Sequence, residues 1–88
     1  MITGRTSSGF EFHLNENTMD DYELLEALCE IDNGDYSKTT LMVEKLLGKE
    51  QKNDLKEHVR NKEGKVLSSL ILAEVMEIFK ACKEGKNS

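Results

Sequence analysis

Residues 68–82 read SSLILAEVMEIFKAC and carry the longest helical apolar pattern in the chain. Apolar residues recur here at spacings of three and four, which is the period of an α-helix. One apolar face consists of Ile71, Val75, Ile78 and Cys82. The neighbouring face consists of Leu72, Met76 and Phe79. We therefore expect a helix over residues 68–83 that lies centrally or presents one side to a partner, because its apolar arc is wide.

Three shorter helical segments are expected before it, over residues 18–33, 37–47 and 50–60. Thr18 is the expected N-cap of the first segment, because its hydroxyl can accept a hydrogen bond from a backbone N–H of the first turn. Gly34 and Gly48 follow the first and second segments. Glycine is common just after a helix, because it adopts the left-handed conformation without steric cost. The two glycines therefore mark the ends of these helices.

The first fifteen residues show the pattern of a β-hairpin. Phe10, Phe12 and Leu14 alternate with polar residues, which is the period of a half-buried strand. A Ser-Ser-Gly turn at residues 7–9 separates them from an upstream strand. The predicted fold is therefore mainly α (α+β), a single domain over residues 1–88. It has a hairpin at 1–15, about four short helices and a frayed tail at 84–88.

The charge balance limits the classes of partner. The chain has 88 residues, with 12 Lys and Arg against 17 Asp and Glu, and a formal net charge of −5. Nucleic acid is an unfavourable partner, because phosphate binding needs clustered Lys and Arg, and here the cations are dispersed among the acids. No apolar run approaches the roughly 20 residues that span a bilayer, and no basic and apolar leader follows Met1. We expect a cytoplasmic protein with no membrane contact.

Catalytic, cofactor-binding and metal-binding motifs are not found in the sequence. We therefore expect neither an enzyme nor a bound cofactor or metal. The side chains that could ligate zinc are His13, His58, Cys29 and Cys82, and no two of them have ligand spacing. Both cysteines lie on apolar helical stripes, so free thiols are favoured over a Cys29–Cys82 disulfide, which stays the alternative.

The short helices carry more apolar side chains than they can enclose. A core this small is marginal alone, so partner binding or homo-oligomerisation would supplement its stability. Each apolar residue by itself fits a core position, but Met-containing apolar surfaces also suit adaptable binding to other helices. The expected partner-binding residues are Tyr22, Leu25, Met42, Leu46, Leu72, Met76 and Phe79. The residues alone therefore predict an acidic, mostly helical interaction protein.

Four segments are informative together: TSSGFEF at residues 6–12, MDDYELLE at 19–26, LLGKEQ at 46–51 and LKEHVR at 55–60. In this order and spacing they resemble the small tail assembly chaperones of long-tailed phages and prophages of Gram-positive bacteria. The resemblance covers about residues 3–79. Members of that family often carry a proline where this chain has Tyr36-Ser37 and another where it has Val66-Leu67.

The resemblance implies a protein that works in the bacterial host cytoplasm without catalysis. Such chaperones coat the long helical tape-measure protein, keep it soluble and release it as tail-tube subunits polymerise around it. The implied partners are the tape-measure protein and the tail-tube protein. The alternative is a small acidic phage protein that inhibits a host factor, for example by mimicking DNA. That role needs a continuous band of acids without cations.

Overall fold

The computed structural model describes the backbone of residues 1–86 and the side chains of residues 1–82. The elements in chain order are strands β1 (Ile2–Arg5) and β2 (Glu11–Leu14) and helices α1 (Tyr22–Asp32), α2 (Thr39–Val59) and α3 (Ser68–Lys86). Short 3-10 helices at Thr18–Asp20 and Tyr36–Lys38 lead into α1 and α2. The described chain is one small domain, with an N-terminal hairpin followed by three helices.

The predicted hairpin is confirmed. β1 and β2 pair antiparallel, with Ile2 opposite Leu14 and Gly4 opposite Phe12. Phe10, Phe12 and Leu14 are buried, as their alternation with polar residues predicts. A Cβ atom on Gly4 would lie 2.7 Å from Phe12 Cζ, so the absence of a side chain lets the Phe12 ring lie over the partner strand. The hairpin thus places its apolar face on the helices.

The first helix begins later than the sequence predicts. Thr18 lies in a 3-10 helix, and α1 starts at Tyr22. Asp21 is the N-cap instead: its backbone is extended, and its carboxylate accepts hydrogen bonds from the N–H groups of Glu23 at 2.9 Å and Leu24 at 3.4 Å. A carboxylate at this position also interacts favourably with the helix dipole. The predicted N-cap at Thr18 is therefore wrong.

The structure has three helices, not about four. Helix α2 spans most of the predicted segments 37–47 and 50–60, and Gly48 lies inside it with non-helical angles of φ 80° and ψ 166°. This is a backbone region open almost exclusively to glycine. The expected boundary at Gly48 thus appears as a sharp kink within one helix. The kink lets residues from both halves of α2 reach the core.

Helix α3 begins at Ser68 and continues to Lys86, three residues beyond the predicted end. Most of the expected tail at 84–88 is therefore helical, and residues 87–88 lie outside the described residues. Of the two apolar faces that the sequence indicates, the one formed by Ile71, Val75, Ile78 and Cys82 belongs to the core. The other core residues are Phe10, Phe12, Leu14, Leu24, Ala27, Met42, Val43, Leu46, Leu47 and Leu55.

Candidate interaction surface

Helix α1 carries an exposed apolar stripe. Tyr22, Leu25 and Cys29 follow one another at spacings of three and four, so they share one side of the helix. Tyr22 is 73% exposed and Leu25 is 44% exposed, while Leu24 and Ala27 on the opposite side are buried. The sequence pattern could not separate these two sides, because Leu24 and Leu25 are neighbours with equal hydropathy. We call Tyr22, Leu25 and Cys29 the α1 stripe.

Helix α3 carries a second apolar stripe beside its buried face. Leu72, Met76 and Phe79 have spacings of four and three residues, and Met76 is 60% exposed. Leu72 and Phe79 are half-buried and pack against the core with part of their surface. The sequence pattern indicates the same two apolar faces, and the structure shows which of them is exposed. We call Leu72, Met76 and Phe79 the α3 stripe.

Two of the expected partner-binding residues lie in the core. Met42 is 1% exposed and Leu46 is 2% exposed, and both pack in the same apolar cluster as Leu24 and Val75. A partner could reach them only if α2 moved away from the other elements. Met42 and Leu46 are therefore removed from the candidate surface. The remaining candidates are Tyr22, Leu25, Leu72, Met76 and Phe79.

Sequence reasoning missed other exposed apolar side chains. Leu67 and Leu70 are exposed at the start of α3, and Tyr36 and Leu41 are exposed around the start of α2. The signal for Leu70 was present, because it falls outside both apolar faces of α3 when residues are placed at the helical period. Tyr36 lies in a 3-10 helix, where periodicity gives no indication of burial.

The acidic residues are segregated along the chain. No Lys or Arg lies between Arg5 and Lys38, a segment that holds nine of the 17 acids, while all 12 Lys and Arg lie outside it with the other eight acids. The expectation of dispersed cations therefore holds only for the second part of the chain. The nine acids are Glu11, Glu16, Asp20, Asp21, Glu23, Glu26, Glu30, Asp32 and Asp35.

Some of these acids are neutralised by cations from other parts of the chain. Glu23 accepts a hydrogen bond from Lys45 Nζ at 3.0 Å, and this bond raises the pKa of the Lys45 ammonium. Glu26 and Glu30, one helical turn apart on α1, have no ion-pair partner among the described side chains. Two unpaired carboxylates thus accompany the exposed apolar residues of α1.

A polar cluster ties the hairpin turn to the helices. Glu74 is buried on α3, where its carboxylate accepts a hydrogen bond from Thr6 Oγ1 at 2.7 Å and bonds from Ser8 Oγ at 2.9 Å to both oxygens. His58 Nε2 lies 2.9 Å from Ser8 Oγ. We call Thr6, Ser8, His58 and Glu74 the hairpin clasp. Beside it, Glu77 accepts hydrogen bonds from the N–H and hydroxyl groups of Ser7.

The hairpin clasp contains serine, histidine and glutamate, but their hydrogen bonds do not form a nucleophilic relay. In such a relay the histidine accepts the serine proton, and the acid holds the other ring nitrogen. Here Ser8 Oγ donates to the carboxylate of Glu74, and because a serine hydroxyl has one proton, Ser8 can pair with His58 Nε2 at the same time only as an acceptor. The N–H groups of Ser7 and Gly9 are already bonded to Glu77 and Thr6, so they cannot stabilise an oxyanion.

The described part of the chain has open surface grooves. One of about 280 Å³ lies between α2 and the start of α3, and another of about 430 Å³ lies over the hairpin at Gly4 and Phe12. Within the described residues, no three His, Cys, Asp or Glu side chains are grouped to hold a metal ion. Both cysteines are free thiols: Cys29 is exposed, while Cys82 is buried.

No helix among the described residues combines the length and the hydropathy required to cross a membrane. Comparison of the chain with protein-family models, curated proteins and solved structures finds no match.

Proposed function

We propose that this protein is a phage tail assembly chaperone that binds and solubilises a tape-measure protein and helps to recruit tail-tube subunits. The observation that carries the proposal is the exposure of the α1 and α3 stripes on a small acidic domain. Large apolar side chains that recur along one helix side are suited to contact another amphipathic helix. The proposal places the protein in the bacterial host cytoplasm and gives it no catalytic role.

The physical task of such a chaperone matches this surface. A long amphipathic helix without partners aggregates through its apolar side. A domain that covers this side with Tyr22, Leu25 and Met76 would also bring a formal net charge of −5 into the complex. Like-charged complexes repel one another and stay dispersed. Each contact would be weak, so many copies on one client gain affinity through avidity and can still be displaced.

The hairpin clasp supports a structural role for the residues that could otherwise suggest catalysis. Glu74 is occupied by two hydroxyl donors of the turn, and Ser8 is held as a donor to a carboxylate. A serine in this state is not activated, since activation requires a base that accepts its proton. We therefore assign the clasp to hairpin docking, which keeps the core closed while the exposed stripes bind the client.

Co-expression tests the proposal directly. The tape-measure protein of the same phage is expressed alone, with this chain, and with the variant Tyr22→Ser/Met76→Ser. We expect the client to be insoluble alone, soluble with the wild-type chain and largely insoluble with the double variant. The control variant Tyr36→Ser removes a side chain that is as exposed as Met76 but lies outside both stripes. Equal precipitation of the client with and without the wild-type chain would refute the proposal.

The segregated acids favour a second candidate function, an acidic phage protein that inhibits a host factor. The nine acids between Arg5 and Lys38 approach the cation-free band that such a protein needs. The test uses Glu26→Lys/Glu30→Lys, because these two acids have no ion pairs among the described residues and, unlike Asp21, do not cap a helix. An inhibitor would lose host-factor binding in this variant, whereas a chaperone would still solubilise its client.

A further inference from the structure

The hairpin has one protected edge and one free edge. On the outer edge of β2, the His13 N–H donates to Gln51 Oε1 at 2.9 Å, and Gln51 Nε2 donates to the His13 carbonyl at 2.8 Å. The Gln51 amide therefore satisfies the groups that a further strand would use at this position. Edge strands commonly carry such protection, because unpaired backbone groups are a template for another strand.

The hydrogen-bonding pattern of the hairpin fixes where the groups of β1 point. Residues opposite each other in an antiparallel pair alternate between hydrogen-bonded and non-hydrogen-bonded. His13 directs its N–H and carbonyl groups to Gln51, so the pair that it forms with Thr3 is non-hydrogen-bonded. The bond from Thr6 N–H to the Phe10 carbonyl agrees with this alternation.

It follows that the N–H and C=O groups of Thr3 and Arg5 point away from β2. By this alternation they lie outside the β1–β2 ladder, no turn, loop or side-chain hydrogen bond among the described residues uses them, and both residues are exposed. No proline, which would block pairing, lies on this strand. The Arg5 charge is neutralised within the hairpin by Glu11, at 2.7 Å. β1 therefore presents a free edge, defined by Thr3 and Arg5.

We infer that this free edge pairs with the same edge of a second copy of the chain. An antiparallel pairing centred on Gly4 places Thr3 opposite Arg5 of the second copy and Arg5 opposite Thr3. Both pairs are then hydrogen-bonded, so about four new backbone hydrogen bonds form. No like charges oppose each other in this register, and a pair of glycines occupies the centre, where Cα atoms approach to about 4.5 Å.

The pairing gives a four-stranded sheet with strand order β2-β1-β1-β2. A second copy meets the condition of a closed dimer, because pairing Thr3 with Arg5 and Arg5 with Thr3 obeys a two-fold rotation. This inference does not depend on the proposed function, since it concerns a surface that neither apolar stripe includes.

Sedimentation equilibrium from micromolar to millimolar concentration tests the pairing in the full chain. We expect the mass of the wild-type protein to rise from 10.0 kDa to twice that value. Thr3→Pro removes an outward N–H without touching a β1–β2 hydrogen bond, and it should leave only the monomer. Thr3→Val retains the N–H and the strand propensity, so it should dimerise like the wild type.

A wild-type protein that stays monomeric, or a Thr3→Pro protein that still dimerises, would overturn the inference. Circular dichroism establishes whether Thr3→Pro is folded. If Thr3→Pro is unfolded, amide hydrogen exchange in the wild-type protein tests the pairing instead. Protection of the Thr3 and Arg5 amides that rises with protein concentration supports the pairing, and free exchange at every concentration contradicts it. Failure here leaves client solubilisation unaffected, so the two proposals are separable.

Discussion

At the scale of single residues, Glu74 has the most demanding environment in the domain. Its carboxylate is buried on α3 and is satisfied by the hydroxyl groups of Thr6 and Ser8. A buried carboxylate without partners would be costly, but hydrogen bonds to a charged group are worth more than neutral ones. Thr6 is itself buried, and it also accepts a hydrogen bond from the Phe10 N–H. One acidic side chain thus connects the two ends of the sequence.

Replacing Glu74 with alanine should lower the free energy of unfolding by about 1–3 kcal/mol, because the buried Thr6 hydroxyl loses its acceptor. The matched control is Glu77→Ala, which removes a more exposed acceptor of the same turn and should cost less than about 1 kcal/mol. Urea denaturation of the three proteins gives both values. Equal decreases in the free energy of unfolding for the two variants would show that the burial of Glu74 does not make its hydrogen bonds more stabilising than those of Glu77.

The two cysteines differ in accessibility by their places in the fold. Cys82 is buried on α3, and desolvation raises the pKa of its thiol, so little thiolate forms near neutral pH. Cys29 is exposed on the α1 stripe. Alkylation of the native protein should therefore modify one thiol quickly and the second slowly, and denaturant should make the second thiol react quickly too.

Mass spectrometry of the alkylated peptides should identify Cys29 as the fast site. The variant Cys29→Ser is the control, because it should eliminate the fast phase and leave the slow one. Rapid modification of Cys82 in the native state would mean that α3 separates readily from the core.

At the scale of elements, Gly48 determines the shape of α2. Its angles of φ 80° and ψ 166° interrupt the helix between Leu47 and Leu55, both of which are buried. A straight helix could not direct both halves to the same core, so the kink is a requirement of packing. The sequence predicts a helix end at Gly48 and a new helix from Glu50, and the structure joins these two segments across the kink.

Substitution of Gly48 by alanine should lower the free energy of unfolding by about 1–3 kcal/mol. The space around its Cβ position is open, so the cost comes from the backbone conformation and not from a clash. Lys49→Ala, at the next exposed position, should change stability by less than about 0.5 kcal/mol. Thermal denaturation followed by circular dichroism measures both. An unchanged free energy of unfolding in Gly48→Ala would mean that the backbone at residue 48 can adopt other angles at little cost.

The accuracy with which the sequence predicts each element depends on how strong a periodic pattern the residues of that element carry. The hairpin and α3 are predicted well, because alternation and helical period are strong over residues 10–14 and 68–82. The start of α1 is predicted less well. Thr18 and Asp21 are both favourable N-cap residues, and only the folded backbone selects between them. The expectation that Met42 and Leu46 bind a partner is wrong, because helical periodicity identifies an apolar face but does not indicate whether the core or a partner covers that face.

At the scale of the whole molecule, burial and charge are distributed unevenly. One face of each helix packs in the apolar core, yet α1 and α3 also have large apolar side chains that are exposed to water. Single exposed apolar residues are normal on protein surfaces, but residues that recur along one helix side indicate an interaction surface. The unbalanced acids beside the α1 stripe would favour clients that carry cations next to their apolar side.

In the proposed function, the α1 and α3 stripes bind the apolar side of a tape-measure helix. Isothermal titration calorimetry at several temperatures, with a soluble peptide from such a helix in place of the aggregating full client, measures this contact, because burial of apolar surface gives a negative heat-capacity change. We expect a negative heat-capacity change for the wild type and for Tyr36→Ser. For Tyr22→Ser/Met76→Ser we expect an affinity at least about tenfold weaker, a loss of roughly 1.4 kcal/mol. Unchanged affinity in the double variant, or no heat-capacity change in the wild type, would refute this role for the two stripes.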